Sequence, residues 1–219
     1  DALVGDVALA LQELVELVGE TDRHAPDPRP EPPEPEPQNP MSGSQAMAVL
    51  AGVWPADGIA VAEAPSSSSA LRNRLRLSEP GSYYQSGSGG LGFAISAAVG
   101  VGLGQPGRPV VCVVGEGSAQ YGITALWTAV AYKVPVTFLV LRNQEYMILK
   151  WFASFEQVEG APGLELPGLD TAAVARAYGV PAQDVSKPDE LTGALREAIA
   201  ADDGPRLVQA RIASGMWVE

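Results

Sequence analysis

The sequence is poor in cysteine, in basic residues and in long apolar runs. Its single cysteine, Cys112, leaves no partner for an internal disulfide, so no disulfide framework supports the fold. Cys112 lies inside the run Val110-Val111-Cys112-Val113-Val114, where cysteine acts as a small hydrophobe. Lys and Arg number 14 against 26 Asp and Glu, a formal charge of −12. That balance argues against nucleic acid and against anionic membrane surfaces as partners, and acidity serves solubility. No apolar stretch reaches the roughly 20 residues of a membrane span. The start, Asp1-Ala2-Leu3, carries no initiator Met, no basic segment and no secretory pattern. A cytoplasmic location is expected. What is present is a chain of 219 residues, 46% apolar, enough for one large domain or one domain with an appendage.

The chain divides by composition. Val4, Val7, Ala8, Leu11, Leu14, Val15 and Val18 make one apolar stripe at helical spacing over 1–20. Half of positions 25–40 are proline, interleaved with Asp27, Glu31, Glu34 and Glu36, so 21–40 reads as an extended, semi-rigid acidic linker. From Met41 to Glu219 strand and helix patterns alternate. Strands are expected at 59–62, 109–114, 136–141 and 206–212. Helices are expected at 44–53, 89–103, around 123–131, from Asp170 to Tyr178, and from Pro188 to about 201, with 66–69 as a polar loop. This alternation predicts an α/β fold, a parallel sheet with helices on both faces, preceded by a helix and a proline-rich linker.

The chemistry concentrates where the run 110–114 breaks into Gly115-Glu116-Gly117-Ser118, with Asn143 standing 27 positions after Glu116 at the end of the next apolar run. The layout puts a carboxylate and an amide oxygen at the carboxyl ends of two neighbouring parallel strands, the edge where open α/β sheets bind ligands. Ser118 offers a hydroxyl, and the backbone N–H groups of Gly115, Gly117 and the following helix start point the same way. Magnesium takes a near-octahedral set of oxygens. Glu116, the Asn143 side chain and the main-chain carbonyl of Glu145 can give three, with phosphate oxygens and water completing the shell. A Gly-x-Gly-Ser turn alone is common at strand–helix junctions; the Asn at this spacing is what favours a metal–diphosphate site.

The motif Gly115-Glu116-Gly117-Ser118…Asn143 resembles that of thiamine-diphosphate (ThDP) enzymes. The marks Gly81-Ser82-Tyr83-Tyr84, Gly89-Gly90-Leu91-Gly92-Phe93-Ala94, Ala125-Leu126-Trp127-Thr128-Ala129, Trp151-Phe152-Ala153 and Pro167-Gly168-Leu169-Asp170 follow in order. Together they resemble the diphosphate-binding domain of the ThDP-dependent 2-oxo acid decarboxylases, in the benzoylformate decarboxylase branch. The resemblance implies a carbon–carbon lyase acting on a 2-oxo acid, with ThDP and Mg²⁺ (or Ca²⁺). It implies contacts to the cofactor from Ser66, the Gly89 carbonyl, Leu91, Tyr121 and Tyr146, with Ile148, Leu149 and Phe152 on the substrate side. It also implies a homo-oligomer, a dimer or tetramer, because family sites form between chains.

Four departures accompany the resemblance. Glu116 stands where the family has Asp. The pyrimidine-binding domain and its activating glutamate have no counterpart here, so no catalytic residue is assigned. The single histidine, His24, matches neither active-site histidine of the benzoylformate type. Ile148 replaces a small residue. The expectation is a fragment, residues 1–20 being the last helix of a middle domain, inactive alone. The alternatives are part of an acetolactate synthase or carboligase, or a non-catalytic oligomerisation module.

Overall fold

The computed structural model describes residues 5–20, 30–77, 79–158 and 160–216. Parts of the expected N-terminal helix and linker, 1–4 and 21–29, lie outside them. The chain forms two compact units, Asp1–Pro30 and Glu31–Glu219. In the first, helix α1 (Val7–Val18) starts at Asp6, whose carboxylate accepts from the Ala8 and Leu9 N–H groups at 2.9 and 3.0 Å. This caps two of the helix's unpaired donors. The second unit begins inside the proline-rich stretch: the Pro33 carbonyl accepts from the Arg74 guanidinium at 2.8 Å.

The second unit is built on a six-stranded, wholly parallel sheet. Its strands are β1 (Ile59–Glu63), β2 (Tyr83–Gln85), β3 (Val110–Gly115), β4 (Val136–Arg142), β5 (Ala182–Val185) and β6 (Arg206–Arg211), in the order β2-β1-β3-β4-β6-β5. The central strands are nearly continuous apolar runs, broken only by Thr137 and by Glu63 and Arg142 at their ends, because both faces are covered. Strand alternation then sorts side chains into two cores. Ala60, Val111, Val113, Leu139 and Val208 face α2 (Gly43–Gly52), α3 (Ser68–Arg74) and α9 (Pro188–Ala200). Val61, Val110, Cys112, Phe138 and Leu207 face α4 (Ala94–Gly104), α6 (Ala125–Ala131) and α8 (Thr171–Ala177). The small residues of α4 permit close approach: a Cβ on Gly102 would lie 2.6 Å from Val134 Cγ1.

Several expectations need correction. Segment 66–69 is not a plain loop. Pro65 opens a 3₁₀ turn (Pro65–Ser67) that runs into α3, and Ser68 Oγ donates to the Pro65 carbonyl at 3.1 Å. The helix expected from 89 begins only at Ala94, because Gly89 and Gly92 take φ of +70° and +102°. The helix expected around 123–131 is α6, and a separate short helix that was not expected, α5 (Glu116–Gly122), precedes it. Helix α7 (Met147–Phe155) and edge strands β2 and β5 are additional elements.

Candidate functional site

Strands β3 and β4 are direct neighbours, with Gly115 opposite Leu141. Their carboxyl ends therefore deliver Glu116 and Asn143 side by side. A small open cleft lies there, bounded by Ser66, Leu91, Gly115, Gly117, Ser118 and Ile148 in addition to that pair. Glu145 and Tyr146 also reach it. Ten of the residues singled out from sequence thus meet in one place. They come from the turn after β1, the turn before α4, the β3–α5 junction, the loop after β4 and the first turn of α7.

Glu116 is 2% exposed. Its Oε1 accepts from the backbone N–H of Asn143 at 3.0 Å and of Gln144 at 2.5 Å. The carboxylate spans the gap between β3 and β4 and fastens the following loop. Burial pushes the Glu116 carboxyl above the usual carboxylate range, against the backbone N–H groups that pull it back. Asn143 Oδ1 accepts from the Glu145 N–H at 3.2 Å, closing a short side-chain turn. The Glu145 carboxylate binds Lys150 Nζ at 2.5 Å and accepts from Ser214 Oγ, and Lys150 also pairs with Glu165. Its side chain thus turns to α7 and the chain's last segment, which leaves its main chain as the possible ligand.

Gly117 packs against Tyr146: a Cβ there would fall 2.3 Å from Tyr146 Cε1, so only glycine lets the ring lie over the turn. The Tyr146 hydroxyl reaches the Gly117 carbonyl at a long 3.5 Å. Burial, and then a hydrogen bond with Tyr121, raises the Tyr146 phenol's pKa.

Four expected residues are not in the cleft. Gly89 lines an adjoining groove that shares Ala64, Pro65 and Leu91 with it. Tyr121 sits beside Tyr146 and against Gly92 but is 64% exposed. Leu149 and Phe152 are exposed on α7. Phe152 stands one turn beyond Ile148 on the same helix face, and Leu149 is rotated off it by about 100°. One residue without a sequence assignment also belongs here. Glu63, at the end of β1, accepts from the Gly92 and Ala94 N–H groups at 2.7 Å each. A carboxylate closing an otherwise apolar buried strand was the available signal.

A cation and a phosphate group fit this chemistry. Two serines line the cleft together with a buried carboxylate and an asparagine amide, and magnesium is commonly bound by one or two carboxylates together with substrate phosphates. The fold and this edge are those of an α/β domain suited to a phosphorylated ligand at the carboxyl ends of its strands.

Comparison with known proteins fixes the family. Residues 66–210 match the thiamine pyrophosphate enzyme C-terminal TPP binding domain. The chain belongs to this family of thiamine pyrophosphate enzymes. It is 47% identical over 204 residues to benzoylformate decarboxylase of Pseudomonas aeruginosa, covering 92% of this chain and 38% of that protein. It superposes on the thiamine diphosphate-dependent 4-hydroxybenzoylformate decarboxylase of Rhodococcus jostii RHA1 with a TM-score of 0.90 at 37% identity, covering 99% of this chain and 41% of the other. The acetolactate synthase large subunit of Haemophilus influenzae matches less, 36% over 124 residues, covering 56% of this chain and 22% of the relative. The chain spans well under half the length of each. Among the described residues no helix is long and apolar enough to cross a membrane.

Proposed function

We propose that this chain is the diphosphate- and metal-holding part of a ThDP-dependent 2-oxo acid decarboxylase of the benzoylformate type. The observation that carries the reading is the buried Glu116 carboxylate, set beside Asn143 at the ends of β3 and β4 and lining one cleft with Ser66 and Ser118. When bound, ThDP supplies the electron sink for cleaving the carbon–carbon bond next to the ketone. The chain's own residues bind and orient. Ser66, Ser118 and the backbone at Gly115 and Gly117 hold the diphosphate. Glu116, Asn143 and the Glu145 carbonyl hold Mg²⁺ or Ca²⁺. Leu91 and the Gly89 carbonyl contact the ring portion, with Tyr121 and Tyr146 at its flank. Ile148 borders the 2-oxo acid side and, being bulky, narrows it; Leu149 and Phe152 reach substrate only when a further surface closes over α7. Exposed Tyr121, Trp127, Tyr132, Trp151 and Phe155 support a homo-oligomer, since large aromatics are enriched where proteins associate.

Calorimetric titration of the chain with ThDP and Mg²⁺ tests the reading. Saturable, Mg²⁺-dependent binding that weakens at least tenfold in Glu116→Ala is expected. No binding by the wild type would favour the non-catalytic oligomerisation module, and equal binding by Glu116→Ala would remove the metal assignment. Substrate profiling of the complete enzyme separates an aryl 2-oxo acid decarboxylase from an acetolactate synthase or carboligase.

A further inference from the structure

Glu63 stands outside the matched segment 66–210, yet its side chain governs the turn that carries Leu91 into the cleft. It is the last residue of β1, paired in register with Val114 of β3, and 8% exposed. Each carboxylate oxygen takes one backbone donor: Oε1 from Gly92 and Oε2 from Ala94, both at 2.7 Å. Helix α4 has no cap of its own, because Phe93 at the N-cap offers no side-chain hydrogen bond. A charged acceptor from the neighbouring strand does the capping and meets the positive end of the helix. Tyr121 packs against the same turn. Gly92 has φ +102°, and a Cβ there would lie 2.9 Å from Tyr121 Cβ. Glu63 and Tyr121 therefore both fix the turn at its α4 end, directly after Gly89, Gly90 and Leu91.

We propose that Glu63 is a positioning residue for the cofactor: by gripping the N–H groups of Gly92 and Ala94, it sets where Leu91 and the Gly89 carbonyl meet the ring portion of ThDP. The inference rests on the ThDP reading above. Only a carboxylate suits the place. Two acceptor oxygens face two donors, so glutamine would turn an NH₂ toward a backbone N–H, and aspartate would fall short by one methylene. The diphosphate end of the cleft, at β3 and α5, is reached by other residues. Loss of the grip therefore separates the two halves of the ligand.

The test compares wild type, Glu63→Gln and Glu63→Asp by calorimetry with two probes, Mg²⁺ with inorganic pyrophosphate and Mg²⁺ with ThDP. Amide hydrogen exchange is followed alongside. Pyrophosphate affinity is expected to stay within about twofold of wild type while ThDP affinity drops at least tenfold. The Gly92 and Ala94 amides should exchange faster, with β3 and β4 still protected. Unchanged ThDP affinity despite faster exchange reduces Glu63 to a helix cap and overturns the proposal. So does a parallel loss of both probes. If Glu63→Gln does not fold, the same two titrations on Glu63→Asp decide. A wild type that binds pyrophosphate but not ThDP refutes the positioning role; one that binds neither refutes the cofactor reading beneath it.

Discussion

Shortening Glu116 to aspartate restores the family's usual residue, and the structure predicts that this costs stability. The Glu116 carboxylate reaches across to the Asn143 and Gln144 N–H groups at 3.0 and 2.5 Å. Removing one methylene withdraws it by about 1.5 Å, a single carbon–carbon bond length, which takes both contacts out of hydrogen-bonding range. Hydrogen bonds to a charged acceptor contribute about 1.5–3 kcal/mol each, so the two together set an upper bound of about 6 kcal/mol. Water from the adjoining cleft can replace part of this, and moving a buried charge toward solvent offsets more. The expected net loss is about 3 kcal/mol, a fall in melting midpoint of about 6–12 °C for a domain of this size. Glu116→Gln is the matched control. It keeps a neutral acceptor oxygen at the same reach, so the loop bonds weaken by about half rather than vanish. It removes the charge a cation needs. Thermal unfolding without cofactor should rank wild type, then Gln, then Asp, whereas Mg²⁺-dependent ThDP binding should be lost in Gln and retained in Asp. An Asp variant melting within about 2 °C of wild type would refute the view that this carboxylate fastens the loop after β4.

Three further outcomes follow from other parts of the fold. Gln209 is fully buried, and its Oε1 accepts from the Thr171 and Ala172 N–H groups at 2.9 and 3.2 Å; Gln209→Leu strands both donors and should lower stability by about 2–4 kcal/mol in denaturant titration. Burial, with the Glu63 charge adding to it, pushes the Cys112 thiol far above its ordinary range, so native protein should resist thiol-specific reagents and react only on unfolding. At Asp184 burial raises the carboxyl, but hydrogen bonds from Arg211 and Gln209 outweigh it and leave it below the usual range. The unfolded state then binds the proton more readily. The stability from the Arg211 pair is present above the ordinary Asp pKa and lost as pH falls through the lowered value. Because Arg211 is largely exposed, the loss in Asp184→Asn at neutral pH should be only about 0.5–1 kcal/mol, with a flatter acid limb in pH-dependent melting.

The strands read most clearly from sequence are those buried on both faces. Val110–Gly115 and Val136–Arg142 are nearly continuous apolar runs because helices cover both sides, and β1 and β6 follow the same logic. Edge strands carry no such signal. Tyr83–Gln85 is three residues long, and Ala182–Val185 is interrupted by exposed Gln183 and half-buried Asp184, so neither shows an apolar run. Helix α7 escaped for a different reason: its N-cap, Tyr146, makes no side-chain cap, and its apolar residues are largely exposed, so neither a start signal nor a buried stripe marks it. The site was legible where it depended on spacing. Glu116 and Asn143 meet because β3 and β4 pair. The limits of the pocket depended on the rotation and reach of α7, which spacing alone does not fix: Leu149 is rotated off the Ile148 face and Phe152 lies a turn further along it, so both fall outside.

The least legible feature is also the one that organises the binding edge. Glu63, Glu116 and Gln209 each send a side-chain oxygen to two backbone N–H groups, or one oxygen to each, on an element 27 to 38 positions away in sequence. Backbone donors have no residue signature, so no motif could announce these contacts. Their energetic role follows from what the local sequence lacks. Phe93 cannot cap α4, and the loop after β4 turns through Gln144 at φ +63°, a conformation that L side chains rarely adopt. A carboxylate at the carboxyl end of a strand supplies the missing hydrogen bonds in both places, Glu63 as the last residue of β1 and Glu116 as the first residue past β3. The cleft edge is thereby built before any ligand arrives, and the ordering cost that binding would otherwise carry is met in folding. Glu116 then answers to two demands, the N–H groups of the loop and a cation in the cleft. Its extra methylene is the feature that lets one carboxylate reach the first without leaving the second.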